Sequence, residues 1–328
     1  MAVLGWRTSV PAHLDNAPLP IRARGHGRAR SARPSAGMPY PHVDFRRRSI
    51  SASIPPGWKF TGGEAPFWHP PEVDLRKPSP ARMYDYYLGG KDNFRVDREA
   101  AREILRDVPE LFQTARENRS FLRRAVRDLA KSGIDQFVDI GAGLPTQGNV
   151  HEVAERYVPC SRVVYVDNDP TVLSHARALL ARERKTLVIK ADARSPDLLD
   201  RVRQLRLIDF TRPVAVLLVA VLHFISDDED PAAIIGRLRS VLAPGSHVVI
   251  AHGTRSAGGV AVDAMTNTYR RATAPVYLRY PEQIEDFFAG FTLIDPGASY
   301  LPWWRPDPES DLSDATRWHF GGVARLDS

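Results

Sequence analysis

Short continuous apolar runs alternate along this chain with stretches whose apolar residues recur every third or fourth position. The runs Phe137–Ile140, Val163–Val166, Thr186–Lys190, Val214–Val221 and His247–Ala251 read as strands. Helical spacing fills the intervals. Val150, Val153, Ala154 and Tyr157 form one stripe; Val172, Leu173, Ala176, Leu179 and Leu180, within Thr171–Arg184, form the next. Leu198–Leu205 predicts a further helix, and Pro231 opens another as an N1 residue. Strands and helices in strict alternation predict an α/β fold with a parallel sheet covered on both faces. Val214–Val221, the most hydrophobic run, suits a central strand.

Upstream, Met83, Tyr84, Tyr87 and Leu88 fall at helical spacing, and Gly89 is a natural stop. From Asp97 to Ser132 the pattern predicts two helices separated by Pro109. Arg116, Asn118 and Arg119 on this stretch read as a solvated charged face, with contact to a cofactor carboxylate as the alternative. After Gly253 the spacing predicts helices over Val260–Arg271 and Pro281–Ala289. A strand over Phe291–Ile294 and a last one over Trp318–Leu326 follow.

Charge divides the chain in two. Residues 1–77 carry twelve Lys/Arg against five Asp/Glu, so they hold +7 of the chain's net +6 and leave −1 for the rest. Rich in Pro, Arg, Gly and Ser without periodicity, they read as a disordered basic extension, with Met38 a possible alternative start. The near-neutral remainder argues against a broad nucleic-acid-binding face. Cys160 is the sole cysteine, which excludes an intrachain disulfide and a cysteine-based zinc cluster. No metal is expected: Asp227, Asp228, Glu229 and Asp230 are sequential and suit a helix cap. No apolar run is long enough to span a bilayer, and no apolar core follows the N-terminal arginines, so the expected location is cytoplasmic.

The chemistry concentrates between Gln136 and Asp169. A strand, a glycine turn (Gly141-Ala142-Gly143), a helix and a second strand ending on Asp167 form half of a nucleotide-binding βαβ unit. Glycines let the backbone turn sharply and a ligand approach closely. Asp167, at the carboxyl end of its strand, is placed to accept both hydroxyls of a ribose. A dinucleotide site would want a third glycine where Thr146 stands. Lys91, Asp92 and Asn93, after the Gly89-Gly90 pair, form the kind of polar cluster a lid needs. His223, directly after the central strand, is the candidate general base. His252 is a second candidate, and His151 reads as structural.

The runs F-V-D-I-G-A-G-L-P-T, N-V-H-E-V-A, V-V-Y-V-D-N-D-P, R-P-V-A-V-L-L-V-A-V-L-H-F-I and the upstream Y-D-Y-Y-L-G-G-K-D-N-F resemble an actinobacterial S-adenosyl methyltransferase family, once a domain of unknown function (DUF574). The resemblance covers about residues 78–325. It implies a class I methyltransferase fold: a Rossmann-like, mostly parallel sheet with an antiparallel C-terminal strand. Residues 78–132 would form a helical cap on a core of residues 133–328. S-adenosyl-L-methionine would be the cofactor and an unidentified small molecule the acceptor. By position, Asp139, Gly141 and Gly143 would lie against the methionine end of the cofactor, Asp167 against the ribose and Asn168 beside the adenine. Asp192 and Ala193 would meet the adenine edge. Ala220, Leu222 and His223 would line the cofactor from the fourth strand, and Tyr87, Gly90, Lys91 and Asn93 would belong to a lid. A non-catalytic cofactor-binding protein and a dinucleotide oxidoreductase remain alternatives of other classes.

Overall fold

The computed structural model describes residues 73–145, 148–180, 185–256 and 258–327. The basic extension up to residue 72 with Met38, the Thr146 position and the expected end of a helix at Arg184 lie outside the described residues. Three helices come first: α1 (Pro80–Tyr87), α2 (Arg95–Leu105) and α3 (Leu111–Lys131). Pro109 sits in the break between the last two, where a helix interior would lose a hydrogen bond and clash. The sheet then begins with β1 (Gln136–Ile140), α4 (Val150–Glu155) and β2 (Arg162–Asp167). It continues through α5 (Pro170–Leu180), β3 (Thr186–Lys190), α6 (Leu198–Gln204), β4 (Ala215–Val219), α7 (Pro231–Val241) and β5 (His247–Gly253). Last come α8 (Gly259–Tyr269), α9 (Pro281–Glu285), β6 (Thr292–Leu293), β7 (Ser299–Tyr300) and β8 (His319–Arg325).

The strands form one sheet in the order β3-β2-β1-β4-β5-β8-β6, with β7 also pairing β8. β1 to β5 are parallel, and β8 runs antiparallel to β5, β6 and β7. This confirms the expected class of fold, with the closing antiparallel segment built from three strands rather than two. Side-chain alternation explains why the central strands carry apolar residues on both faces. Val138, Ile140, Val164 and Val166 bury into one cluster, whereas Phe137, Val163 and Leu217 bury into a second on the other face.

β4 ends at Val219, two residues earlier than its apolar run. Ala220 adopts φ +60°, a left-handed conformation that ends extended pairing, and its N–H donates to the carbonyl of Ala251 at 2.9 Å. The acidic run after it folds as expected of a cap. Asp230 is the N-cap of α7 and accepts the Ala233 N–H at 2.9 Å.

Candidate active site

The sheet order reverses between β1 and β4, the place where open α/β sheets leave a crevice beyond their strand ends. A cavity of about 500 Å³ occupies it, walled by the carboxyl ends of β1 to β4, by α1 and α3, and by residues of α8 and β8. Its size suits a small-molecule site.

The glycine turn after β1 forms one edge. The N–H groups of Gly141 and Ala142 both donate to the Val166 carbonyl, at 2.8 and 3.2 Å, which folds the turn back onto β2. Both of its glycines have positive φ, +72° at Gly141 and +69° at Gly143, but their surroundings differ. A Cβ on Gly141 would lie 2.5 Å from Cγ2 of Val221, so close packing demands its absence. A Cβ on Gly143 would meet nothing within 4 Å; with φ at +69°, this glycine serves the turn and leaves the cavity clear.

Two buried carboxylates face this turn. Asp167 accepts the Gly143 N–H on one oxygen (2.9 Å) and the Asp169 N–H on the other (2.8 Å). Burial raises its pKa to about 6 against the pull of those bonds. Asp139 is only 5% exposed, and no described residue hydrogen-bonds its carboxylate. Burial pushes its pKa to about 7; Arg119 pulls it down and Asp167 pushes it up. A carboxylate placed at that cost without a donor is suited to a cationic ligand.

The cation of this site comes from α3. Arg119 lines the cavity, its Nε enclosed without a partner among the described residues and its Nη2 3.4 Å from the Gly148 carbonyl. Beside it, Asn118 is 2% exposed and donates to the Tyr84 hydroxyl at 2.8 Å. The expectation of a solvated face is therefore corrected for these two residues and holds for Arg116, which is exposed. Ala115, Asn118 and Leu122 lie three and four residues apart and share the cavity-facing stripe, with Arg119 at its edge.

At the far end stand Asn168, Asp192 and Ala193, all on the cavity wall. Asp192 is not free, however. Arg194 donates to its Oδ1 from the backbone N–H and from Nε, at 2.9 and 2.8 Å. Its Oδ2 accepts Arg194 Nη2 and Asn168 Nδ2, at 2.6 and 2.9 Å. These bonds fill the lone-pair positions of the carboxylate and hold its pKa well below the ordinary value. A base edge would have to displace one of them to bond Asp192.

His223 lines the cavity, yet its geometry does not fit the expected general base. Nδ1 accepts the backbone N–H of Gly253 at 3.1 Å, so in the neutral ring the proton sits on Nε2. Burial, followed by His252, His319 and Arg279, holds its pKa well below the ordinary value. The ring therefore presents a donor, not a lone pair. His252 is off the cavity and fully engaged, its nitrogens 2.8 Å from the Gly253 carbonyl and 2.8 Å from Arg279 Nη1. His151 is structural as expected, with Nδ1 2.8 Å from the Tyr165 hydroxyl. Sequence reading missed His319. It opens β8 opposite Gly253 and stacks on His223 with ring centres 5.9 Å apart. Burial lowers its pKa to about 4.

Of the expected lid residues, only Tyr87 reaches the cavity. Gly90, Lys91 and Asn93 do not line it, because Asp85 draws the turn inward. Its carboxylate takes the Asp92 N–H at 2.9 Å and Asn93 Nδ2 at 2.7 Å, and its carbonyl takes the Gly90 N–H at 2.8 Å. Lys91 points to solvent. α1 itself covers the cleft, and Ser79 Oγ at its N-cap donates to Asp169, two residues beyond Asp167.

A model of the S-adenosyl methyltransferase family matches residues 66–327. The chain belongs to that family. The resemblance read from the motifs is thereby confirmed, and with it an S-adenosylmethionine-dependent methyltransferase in place of a dinucleotide oxidoreductase. Two solved structures are similar over most of the chain. A candidate methyltransferase from Thermobifida fusca YX is 41% identical, matched over 80% of this chain and 100% of that one with a TM-score of 0.74. A DUF574 family protein from Streptomyces avermitilis MA-4680 is 38% identical, matched over 78% of this chain and 100% of that one, also at 0.74. No curated protein matches the chain. Among the described residues no helix is long and apolar enough to cross a membrane, and no cluster of His, Cys, Asp or Glu could hold a metal ion.

Proposed function

We propose that the enzyme binds S-adenosyl-L-methionine with its amino-acid end between Asp139 and Arg119. From there it would transfer the methyl group to a small-molecule acceptor in the cytoplasm. Residues 78–132 would serve as a cap on the catalytic core of residues 133–328. The observation that carries this reading is the juxtaposition, on one cavity, of a buried carboxylate and a guanidinium Nε that have no hydrogen-bond partner among the described residues, beside a glycine that keeps the space open. A zwitterionic α-amino acid needs both signs: Asp139 suits its ammonium and Arg119 its carboxylate.

Asp167 keeps lone pairs for two ribose hydroxyls while its existing bonds fix the turn. Asn168 and Ala193 would border the adenine, with the Asp192–Arg194 pair as a rigid wall rather than a hydrogen-bonding edge. Ala220 and His223 would face the reacting end.

The bound cofactor supplies a methyl group already activated by a sulfonium, so the protein's part is alignment and exclusion of water. α1 and Tyr87 cover the cleft, and the left-handed Ala220 turns the chain after β4 so that Val221 and His223 face the cavity. His223 orients the acceptor by donating from Nε2.

Calorimetric titration tests the placement. S-adenosylhomocysteine is expected to bind the wild type, and Arg119→Ala to weaken it by about 10- to 100-fold, the worth of a charge-assisted bond. 5′-Methylthioadenosine, which lacks the amino-acid end, should bind both forms alike. An equal loss for both ligands would assign Arg119 to shaping the site instead.

A further inference from the structure

The half of the cavity remote from the β1 turn is walled by rings and thioether. Tyr87, Phe224, Met265, Tyr269, Leu278 and Trp318 line it, and all belong to, or pack on, one apolar cluster distinct from the two sheet cores. The Phe224 ring stands edge-on to His223 at 4.4 Å and 5.9 Å from Tyr269. No charged side chain belongs to this wall. Among the described residues, the cavity's unpaired charges are Arg119 and the carboxylates of Asp139, Asp167 and Asp169, all at the cofactor end; Asp169 is held by the Ser79 hydroxyl and the Thr171 N–H. Its other charges are already paired: Asp192 with Arg194, Arg82 with Asp97 at 2.8 Å, and Asp74 with Arg76 at 3.1 Å. The polar groups that remain at the apolar end are neutral: the Nε2–H of His223, the His319 ring, the phenols of Tyr87 and Tyr269, and Thr273.

We propose that the methyl acceptor is an uncharged, flat aromatic molecule whose oxygen meets the Nε2–H of His223. The inference rests on the methyltransferase reading of the same cavity. An ionised acceptor would lose its hydration against this wall and gain no counter-charge from the side chains that form it, whereas an aromatic face gains the ring contacts of Phe224 and Tyr269. A single neutral oxygen is what one imidazole donor can satisfy.

The test is a set of titrations into the full chain saturated with S-adenosylhomocysteine, using 2-naphthol, 2-naphthoate and 2-naphthylmethylammonium at pH 7. The expected result is 2-naphthol binding at least about tenfold more tightly than either ion, since an unpaired buried charge costs more than one decade of affinity. Phe224→Leu should weaken 2-naphthol several-fold and leave S-adenosylhomocysteine affinity unchanged. Either ion binding as tightly as 2-naphthol, no binding of 2-naphthol, or indifference to Phe224→Leu would overturn the acceptor class while the cofactor reading stands. Failure of S-adenosylhomocysteine to bind the folded wild type would remove the methyltransferase reading of the cavity, and this proposal with it.

Discussion

Asp139→Asn is expected to abolish cofactor binding and, at the same time, to make the unliganded fold more stable at alkaline pH. The two effects share one cause. Asp139 is buried without a described donor, so its pKa stands at about 7 instead of the ordinary 3.8. The folded state then holds this proton more tightly than the unfolded chain does. The associated stability is fully present below the unfolded value and is lost as pH rises through 7. Across that span the loss is on the order of 4 kcal/mol, and Asn, a neutral isostere of the protonated acid, never incurs it. Urea melts should therefore show a gap between Asn and wild type that widens from pH 5.5 to pH 8.5. Asn cannot balance the ligand ammonium, and S-adenosylhomocysteine affinity should fall by at least about 100-fold, as for removal of one member of a buried charge pair. In the wild type the ammonium stabilises the ionised carboxylate. Binding at pH 6.5 should accordingly release protons, read as different calorimetric enthalpies in phosphate and Tris buffers, and the difference should vanish near pH 8. A wild-type protein more stable than its Asn variant at pH 8.5 would show that Asp139 has a partner in solution.

The sequence carried the sheet and the cofactor turn because both rest on local physics. Strands buried on both faces are apolar at most positions rather than at alternate ones, so β1, β2, β4 and β5 stand out as runs even with Asp139 inside β1. The turn after β1 favours glycine at Gly141 and Gly143 for their positive φ, and at Gly141 also for packing on Val221. Arg119 was legible only in part. Ala115, Asn118 and Leu122 fall on one helical stripe, but a charge beside such a stripe looks the same whether the facing element is water or a ligand cavity. The early end of β4 has no local signal, since Ala is not a residue that favours a left-handed conformation. His319 could not be found from spacing either. It reaches His223 only because β8 returns antiparallel along β5, and that pairing joins residues more than sixty positions apart. The two-residue strands β6 and β7 are too short for periodicity to register. For His223, position suggested a base, and only the Gly253 N–H on its Nδ1 revealed the opposite tautomer.

That return of β8 supplies the second large effect. Gly321→Ala is expected to unfold the protein or cost at least about 3 kcal/mol, whereas Gly143→Ala should cost only about 1 kcal/mol yet remove cofactor binding. Gly321 pairs Ala251 of β5 on one side and Ser299 of β7 on the other. A Cβ there would lie 2.0 Å from the Ile250 carbonyl oxygen and 2.9 Å from the Ala251 Cα, both backbone atoms that no rotamer change can move. The strand could accommodate it only by parting from β5 or slipping. A slip by one residue would send His319 to the opposite face and take it away from His223. At Gly143 the added methyl meets no protein atom, so the fold bears only the strain of φ +69° and the obstruction falls on the ligand. Urea melts and S-adenosylhomocysteine titration of both variants separate the two cases. If Gly321→Ala melts with the wild type, β8 does not hold the acceptor wall against β5. If Gly143→Ala binds the ligand as the wild type does, the open space beside Asp167 is not where the cofactor lies.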